Sequence, residues 1–267
     1  MDEVAYQRFS SELTEILRAD PDVLGLIALG SMADLSYRDD WSDHDFWVIT
    51  RPGHQDALLE DISWLPGAGG IFFSVRHGLR HYSVLYRDGH MVEFAVFDPD
   101  EAAQGTVNTF RVLFERDDVT ALAAHAQERS RPAPWDAARY ASAFDNFLLL
   151  LRTAVARYRR GERLSGQRYV SQFALDALLR LVLELSPAGA TGAPDLLDPR
   201  RRFEQTDSEL AAELEELARH AVPEAAVRLL DIAERTLAPA WPAYPAARAA
   251  AIRSWLRVEA GVTPPTG

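Results

Sequence analysis

Leu29-Gly30-Ser31 and, after a mostly polar interval, Ser42-Asp43-His44-Asp45-Phe46-Trp47-Val48-Ile49 are the residues from which this 267-residue chain is best read. The apolar run Val23 to Leu29 predicts a short buried strand ending at Gly30-Ser31, with a single helical turn over Met32 to Leu35. Asp43 to Thr50, rich in aromatic and β-branched residues and closed by Arg51-Pro52-Gly53, predicts a second strand. Successive side chains of a strand point to opposite faces, so Asp43 and Asp45 share one face while His44 and Phe46 take the other. Two carboxylates on one face suit a hard cation such as magnesium, which takes a few carboxylate oxygens together with phosphate oxygens. A glycine at the end of the preceding strand lets the backbone approach a phosphate, and N–H groups of the following turn and the Ser31 hydroxyl supply donors. His44, on the far face, reads as a hydrogen-bonded core or half-buried histidine rather than a ligand.

Three more β-type segments follow at Ile71 to Arg76, His81 to Tyr86 and Met91 to Phe97, the last two joined by the turn Arg87-Asp88-Gly89. The last holds Glu93 between Val92 and Phe94, an acidic residue in a segment that otherwise reads as core, where a lone charge is costly to bury. Beside Asp43, Asp45 and a cation, that position has an explanation. Helices are expected at Ala5 to Arg18, with Phe9, Leu13, Ile16 and Leu17 as its apolar stripe, and at Gln55 to Leu65. The fold class is therefore α+β, a small mixed sheet flanked by helices over residues 1–131. Arg131-Pro132-Ala133-Pro134 marks a linker, beyond which residues 135–258 form an all-α helical bundle. Its helices are expected at Ala137 to Arg160, Arg168 to Leu185, Ser208 to His220, Glu224 to Leu237 and Ala246 to Leu256, with a loop over Ser186 to Pro199. Residues 259–267 are expected to be a disordered tail.

Composition narrows the function. Hydrophobic residues make up 48% and charged residues 25%, a globular balance with enough apolar surface for a sizeable core. The net charge is -12, from 40 acidic and 28 basic residues, and every basic residue is arginine. A chain without lysine has no P-loop, Schiff-base or lysine general-base chemistry. Its acidity disfavours a nucleic-acid partner and suits a cationic or neutral small molecule. There is no cysteine, hence no disulfide or thiolate metal site. The acidic start Met1-Asp2-Glu3 lacks signal-peptide features and no apolar run is long enough to span a bilayer, so a cytoplasmic protein without membrane association is expected.

A Gly-Ser at a strand end, a later D-x-D and a third carboxylate in that order resemble the nucleotidyltransferase fold of the polymerase-beta superfamily. Within it the chain looks most like the lincosamide nucleotidyltransferases, from about residue 20 to about residue 240. The similar stretches are Leu29-Gly30-Ser31, Ser42 to Phe46, Glu93 with Val96-Phe97-Asp98, Asn146-Phe147-Leu148-Leu149, Arg160-Gly161-Glu162 and Ser171-Gln172. The resemblance implies a nucleoside triphosphate, ATP as first choice, with Mg2+ on Asp43, Asp45 and Glu93, and with Gly30 and Ser31 at the phosphates. Glu93 is implied either as the base for the acceptor hydroxyl or as a third metal ligand. A small-molecule hydroxyl acceptor, an antibiotic, is implied, with a homodimer and an acceptor wall in the helical half, where Tyr158, Tyr169 and Gln172 are candidates. Two departures stand out: His44 replaces the family's usual aliphatic residue, and no lysine is available for the triphosphate. Arg38, Arg80, Arg87, Arg160 and Arg168 are the candidate substitutes. The rival readings are an aminoglycoside nucleotidyltransferase and a non-catalytic, antitoxin-like protein on the same fold.

Overall fold

The computed structural model describes residues 2–131, 133–185, 195 and 197–261. The chain divides into two compact units, Met1–Pro132 and Ala133–Gly267.

The first unit opens with helix α1 (Glu3–Ala19), capped by the Asp2 side chain, which accepts from the Ala5 N–H. Tyr6, Phe9, Leu13 and Leu17 form its buried face. Ile16, expected in that stripe, lies off it and is 40% exposed. There follow strand β1 (Val23–Leu29), the short helix α2 (Gly30–Ala33), strand β2 (His44–Thr50) and helix α3 (Gln55–Glu60). Strands β3 (Ile71–His77), β4 (His81–Tyr86) and β5 (Met91–Phe97) come next, then helix α4 (Pro99–Ala102), strand β6 (Phe110–Glu115) and helix α5 (Val119–Ser130). The six strands lie in the order β3-β4-β5-β2-β1-β6. β2 and β5 pair parallel, whereas the other neighbours are antiparallel.

Both faces of the central strands are covered, which explains why β1 is buried along its whole length and reads as a continuous apolar run. Phe46, Val48, Val92, Phe94 and Val96 pack on one side with Phe9, Leu13 and Leu17 of α1. Trp47, Ile49, Ala95 and Phe97 pack on the other with Ala102 of α4 and with Val119, Ala123 and Ala126 of α5.

The second unit is helical: α6 (Ala137–Arg159), α7 (Arg163–Arg168), a π-helical turn over Tyr169–Ala174, α8 (Leu175–Leu185), α9 (Phe203–Thr206), α10 (Ser208–Glu216), α11 (Val222–Ala240) and α12 (Ala246–Ala260). Phe144, Phe147, Leu151, Leu178, Leu181, Leu229 and Leu230 lie in its core. The α+β class expected from sequence is the class observed.

Several boundaries differ. α3 stops at Glu60 instead of Leu65 because the Asp61 carboxylate accepts from the Ser63 N–H at 2.8 Å and from its hydroxyl at 2.9 Å, a local turn that competes with the helix. Strand β6 and helix α5 add to the sequence reading, which assigned nothing between Asp98 and Ser130. The α8 segment begins earlier than Arg168, at α7, and passes through the π turn. The Ser208 to His220 helix ends at Glu216 and continues as a 3-10 turn. α11 starts two residues before Glu224, since Pro223 is tolerated in a first helical turn. α12 runs to Ala260, so residues 259 and 260 of the expected tail are helical, while 262–267 lie outside the described residues. Most of the expected Ser186 to Pro199 loop also lies outside them.

Gly25 sets how closely β1 packs on β6 and α5. A Cβ there would sit 2.9 Å from the Phe114 carbonyl oxygen and 2.9 Å from Val119 Cγ2. Gly25→Ala is expected to cost about 1–3 kcal/mol through overpacking, read as a lower urea midpoint with an unchanged slope.

Candidate active site

The site is organised by the parallel ladder between β2 and β5, whose register pairs His44 with Val92, Asp45 with Glu93 and Phe46 with Phe94. Register partners on adjacent strands have backbones about 4.8 Å apart and side chains on the same face. Asp45 and Glu93 are thus side by side, on the face that also carries Trp47 and Ala95, and both are half-buried. Asp43 precedes the strand by one residue, and its carbonyl accepts from the Tyr6 hydroxyl at 2.8 Å. Gly30 and Ser31 follow directly from β1, the strand beside β2. Gly30 has φ +49°, a left-handed conformation that favours glycine, so a backbone requirement adds to the close-approach reading. Ser31 is only 8% exposed.

A cavity of about 280 Å³ lies against the acidic pair, with Asp45, Trp47, His77, His81, Ser83 and Glu93 in its walls. Gly30, Ser31 and Asp43 are not among them. Within the cavity the Ser83 hydroxyl donates to Glu93 Oε1 at 2.8 Å, and His77 Nε2 lies 3.0 Å from Ser83 Oγ. Burial and, secondarily, the neighbouring His77 lower the basicity of His81. Ser83 and the two histidines were not singled out in the sequence. Their only signal is position: in a hairpin before β5, Ser83 faces Glu93 across the ladder.

The donor chemistry of Asp43, Asp45 and Glu93, three hard carboxylates of which two are register neighbours, fits a magnesium ion carried by phosphate oxygens. The three are not drawn into a tight cluster. Among the described residues, the group of three acidic or histidine side chains whose donor atoms all lie within 4.8 Å of one another is Asp20, Asp22 and His54. That group sits at the other end of β1 and β2, where Val23 pairs with Thr50. There His54 lies 3.0 Å from Asp20, and Arg51 lies 3.6 Å from Asp22, so side chains of the chain itself already face these carboxylates.

The arginine candidates separate clearly. Arg80 is held by Glu101 and Asp56, each at 2.8 Å. Arg87 lies over the Phe72 ring. Arg160 pairs with Glu162 at 3.0 Å and Arg168 bonds Gln172 at 3.3 Å, both within the helical unit. Arg38 lies in the segment between α2 and β2, pairs with Glu3 at 2.8 Å and stacks over the Tyr6 ring at 4.2 Å. Tyr158 and Tyr169 pack against the helical core, as aromatic residues at helical spacing ordinarily do.

The back of the site is closed by histidines. His44 is fully buried, stacks on Tyr6 with centroids 3.7 Å apart, and its Nδ1 lies 2.8 Å from His90 Nε2. Its Nε2 lies 3.0 Å from Ser10 Oγ. It is a core histidine on the face opposite Asp45.

The sequence matches no protein-family model and no curated protein. Solved structures similar to this chain include an aminoglycoside 6-adenyltransferase from Bacillus subtilis, 13% identical, with a TM-score of 0.42 over 95% of this chain and 98% of that one. A nucleotidyltransferase-like protein from Exiguobacterium sibiricum is 15% identical, with a TM-score of 0.38 over 88% of this chain and 78% of that one. With TM-scores below 0.5 these likenesses leave function to the chain's own residues.

The histidine pair makes stability depend on pH. Burial, aided by His90, pushes His44 down to about 3, and burial pushes His90 down to about 4. Below the ordinary histidine value of 6.5 the unfolded chain takes up protons that the folded chain refuses, so stability falls with pH. The loss begins as pH drops below about 6.5 and levels off near the folded values. Urea midpoints between about pH 7 and about pH 4 should show it, and a His44→Leu, His90→Leu double variant should show a shallower decline.

Proposed function

We propose that this chain is a magnesium-dependent nucleotidyltransferase that moves a nucleoside monophosphate, AMP from ATP as first choice, onto a hydroxyl of a small molecule. The observation that carries this reading is the register pairing of Asp45 with Glu93 on parallel strands, with Asp43 at the mouth of β2 and Gly30-Ser31 at the end of the neighbouring strand. That is the motif order read in the sequence, brought to adjoining strands of one sheet.

In this reading Asp43 and Asp45 would hold the ion. Bound there, magnesium would neutralise charge developing on the phosphoryl oxygens and the leaving group. Gly30 and Ser31 hold the triphosphate through backbone N–H groups and a hydroxyl. The acceptor hydroxyl attacks the α-phosphorus in line, a new P–O bond forms, the bond to the β-phosphate breaks and pyrophosphate leaves. Glu93 takes the hydroxyl proton or shares the ion. Its Oε1 already accepts from Ser83, which fixes the rotation of the carboxylate and directs the second oxygen.

The acceptor is assigned to the hydroxylated antibiotics, a lincosamide-type compound first. Acceptor binding and dimerisation are assigned to the helical unit. An aminoglycoside acceptor is the second reading, favoured by the net charge of -12, which suits a polycation.

The test is incubation with ATP, magnesium and a panel of lincosamides and aminoglycosides, followed by mass spectrometry. The expected product is one acceptor heavier by an AMP moiety. Asp43→Asn and Asp45→Asn should each lower turnover by about 10²-fold or more with unchanged circular dichroism. Full activity in either variant would refute the assignment.

A further inference from the structure

Asp43 carries a role that its place in the sheet does not by itself secure. The ladder with β5 begins at His44, and that with β1 reaches only to Phe46, so Asp43 lies beyond both. A carboxylate that must meet an ion within a few tenths of an ångström needs its main chain held. The holding group comes from α1. Tyr6, 2% exposed, donates its hydroxyl to the Asp43 carbonyl at 2.8 Å, and its ring stacks on the imidazole of the next residue, His44, with planes 20° apart. The Tyr6 carbonyl in turn lies 3.2 Å from His44 Nε2. One residue of the N-terminal helix therefore grips both residues that flank the Asp43–His44 peptide.

Tyr6 is itself fixed from the outer side. The Arg38 guanidinium stacks over its ring at 4.2 Å, with a side chain only 8% exposed, and is tied back to Glu3 at 2.8 Å. Glu3 belongs to the first turn of α1, and Arg38 to the segment leading into Asp43, so the contact closes a loop between the helix and that segment. Cation stacking on a tyrosine face restrains the ring without consuming its hydroxyl.

We infer that Tyr6 is a positioning residue for divalent-cation binding, setting the Asp43 carboxylate through its backbone, with Arg38 as the clamp on Tyr6. This rests on the metal role proposed above for Asp43. A purely structural tyrosine would contribute to folding and leave cation affinity untouched. The residue is absent from every motif in the sequence reading because it lies 37 positions from its partner.

The experiment is Mn2+ binding to the full chain, followed by electron paramagnetic resonance in the presence of an ATP analogue with a non-cleavable α,β-bridge. Wild type, Tyr6→Phe, Arg38→Gln, Asp43→Asn and Tyr86→Phe are compared. Tyr86 is the control, since its buried hydroxyl donates to the Pro66 carbonyl at 2.9 Å, away from Asp43. Tyr6→Phe is expected to weaken Mn2+ binding by about fivefold to tenfold, Arg38→Gln by about twofold to threefold, and Tyr86→Phe not at all despite a comparable drop in melting temperature. Unchanged Mn2+ affinity in both Tyr6→Phe and Arg38→Gln overturns the inference while leaving the metal role of Asp43 intact. Should Tyr6→Phe fail to fold, Arg38→Gln alone decides between these outcomes. If Asp43→Asn binds Mn2+ as the wild type does, the metal role itself fails, and the inference with it.

Discussion

The parallel pairing of β2 with β5 is the constraint on which the rest of this unit depends. Parallel neighbours cannot be joined by a tight turn, so the chain leaves β2, forms α3 and the β3–β4 hairpin, and returns to lay β5 alongside β2. The register of that return is enforced by burial. On one face His44, Phe46, Val92 and Phe94 are all inside the core. A slip by one residue would carry Glu93 into that core and expose its neighbours, at the desolvation cost of an unpaired carboxylate. The same pattern that buries the apolar residues therefore brings Asp45 and Glu93 together.

The two faces of β2 are finished differently. Behind Asp45, the aromatic residues Tyr6 and Phe9 and the His44–His90 pair are buried against one another, and the imidazoles are kept neutral by that burial. In front, α4 and α5 cover Trp47, Ile49, Ala95 and Phe97, while Asp45 and Glu93 keep partial access to solvent. A buried back and partly accessible carboxylates in front suit the cation role proposed for this strand end.

How much of this was legible follows from the range of the interactions involved. Alternation along β2 separated His44 from Asp43 and Asp45, and an acidic residue in an apolar strand marked Glu93, because both signals lie within a few residues. The partners that fix these residues lie far away in sequence. Tyr6 reaches Asp43, His90 reaches His44, and Ser83 reaches Glu93 only through tertiary pairing. β6 was missed for a related reason. Phe110–Glu115 carries Arg111 and Glu115 within its six residues and lies at the sheet edge, where polar residues are tolerated and the apolar signal is diluted. The helix after Gln55 was read too long because an Asp-x-Ser turn is indistinguishable from helical surface until its hydrogen bonds are seen.

The absence of lysine takes on a sharper meaning once ion pairs are known. Arg80, just before the first residue of β4, is committed to Asp56 and Glu101, and Glu101 is simultaneously the partner of Asp98 in the capping box of α4. Releasing it for a triphosphate would leave two carboxylates without their partner and loosen that cap. Arg87 is directed to Phe72 on the opposite edge strand of the sheet, and Arg38 to Glu3 and Tyr6. With the basic candidates of this unit engaged structurally, the charge of the triphosphate proposed above would fall on backbone N–H groups and on the cation proposed for the carboxylates. The proposed chemistry is accordingly expected to depend more steeply on the divalent ion than it would in a site furnished with a free lysine, which ties the proposed function to the geometry of Asp43, Asp45 and Glu93.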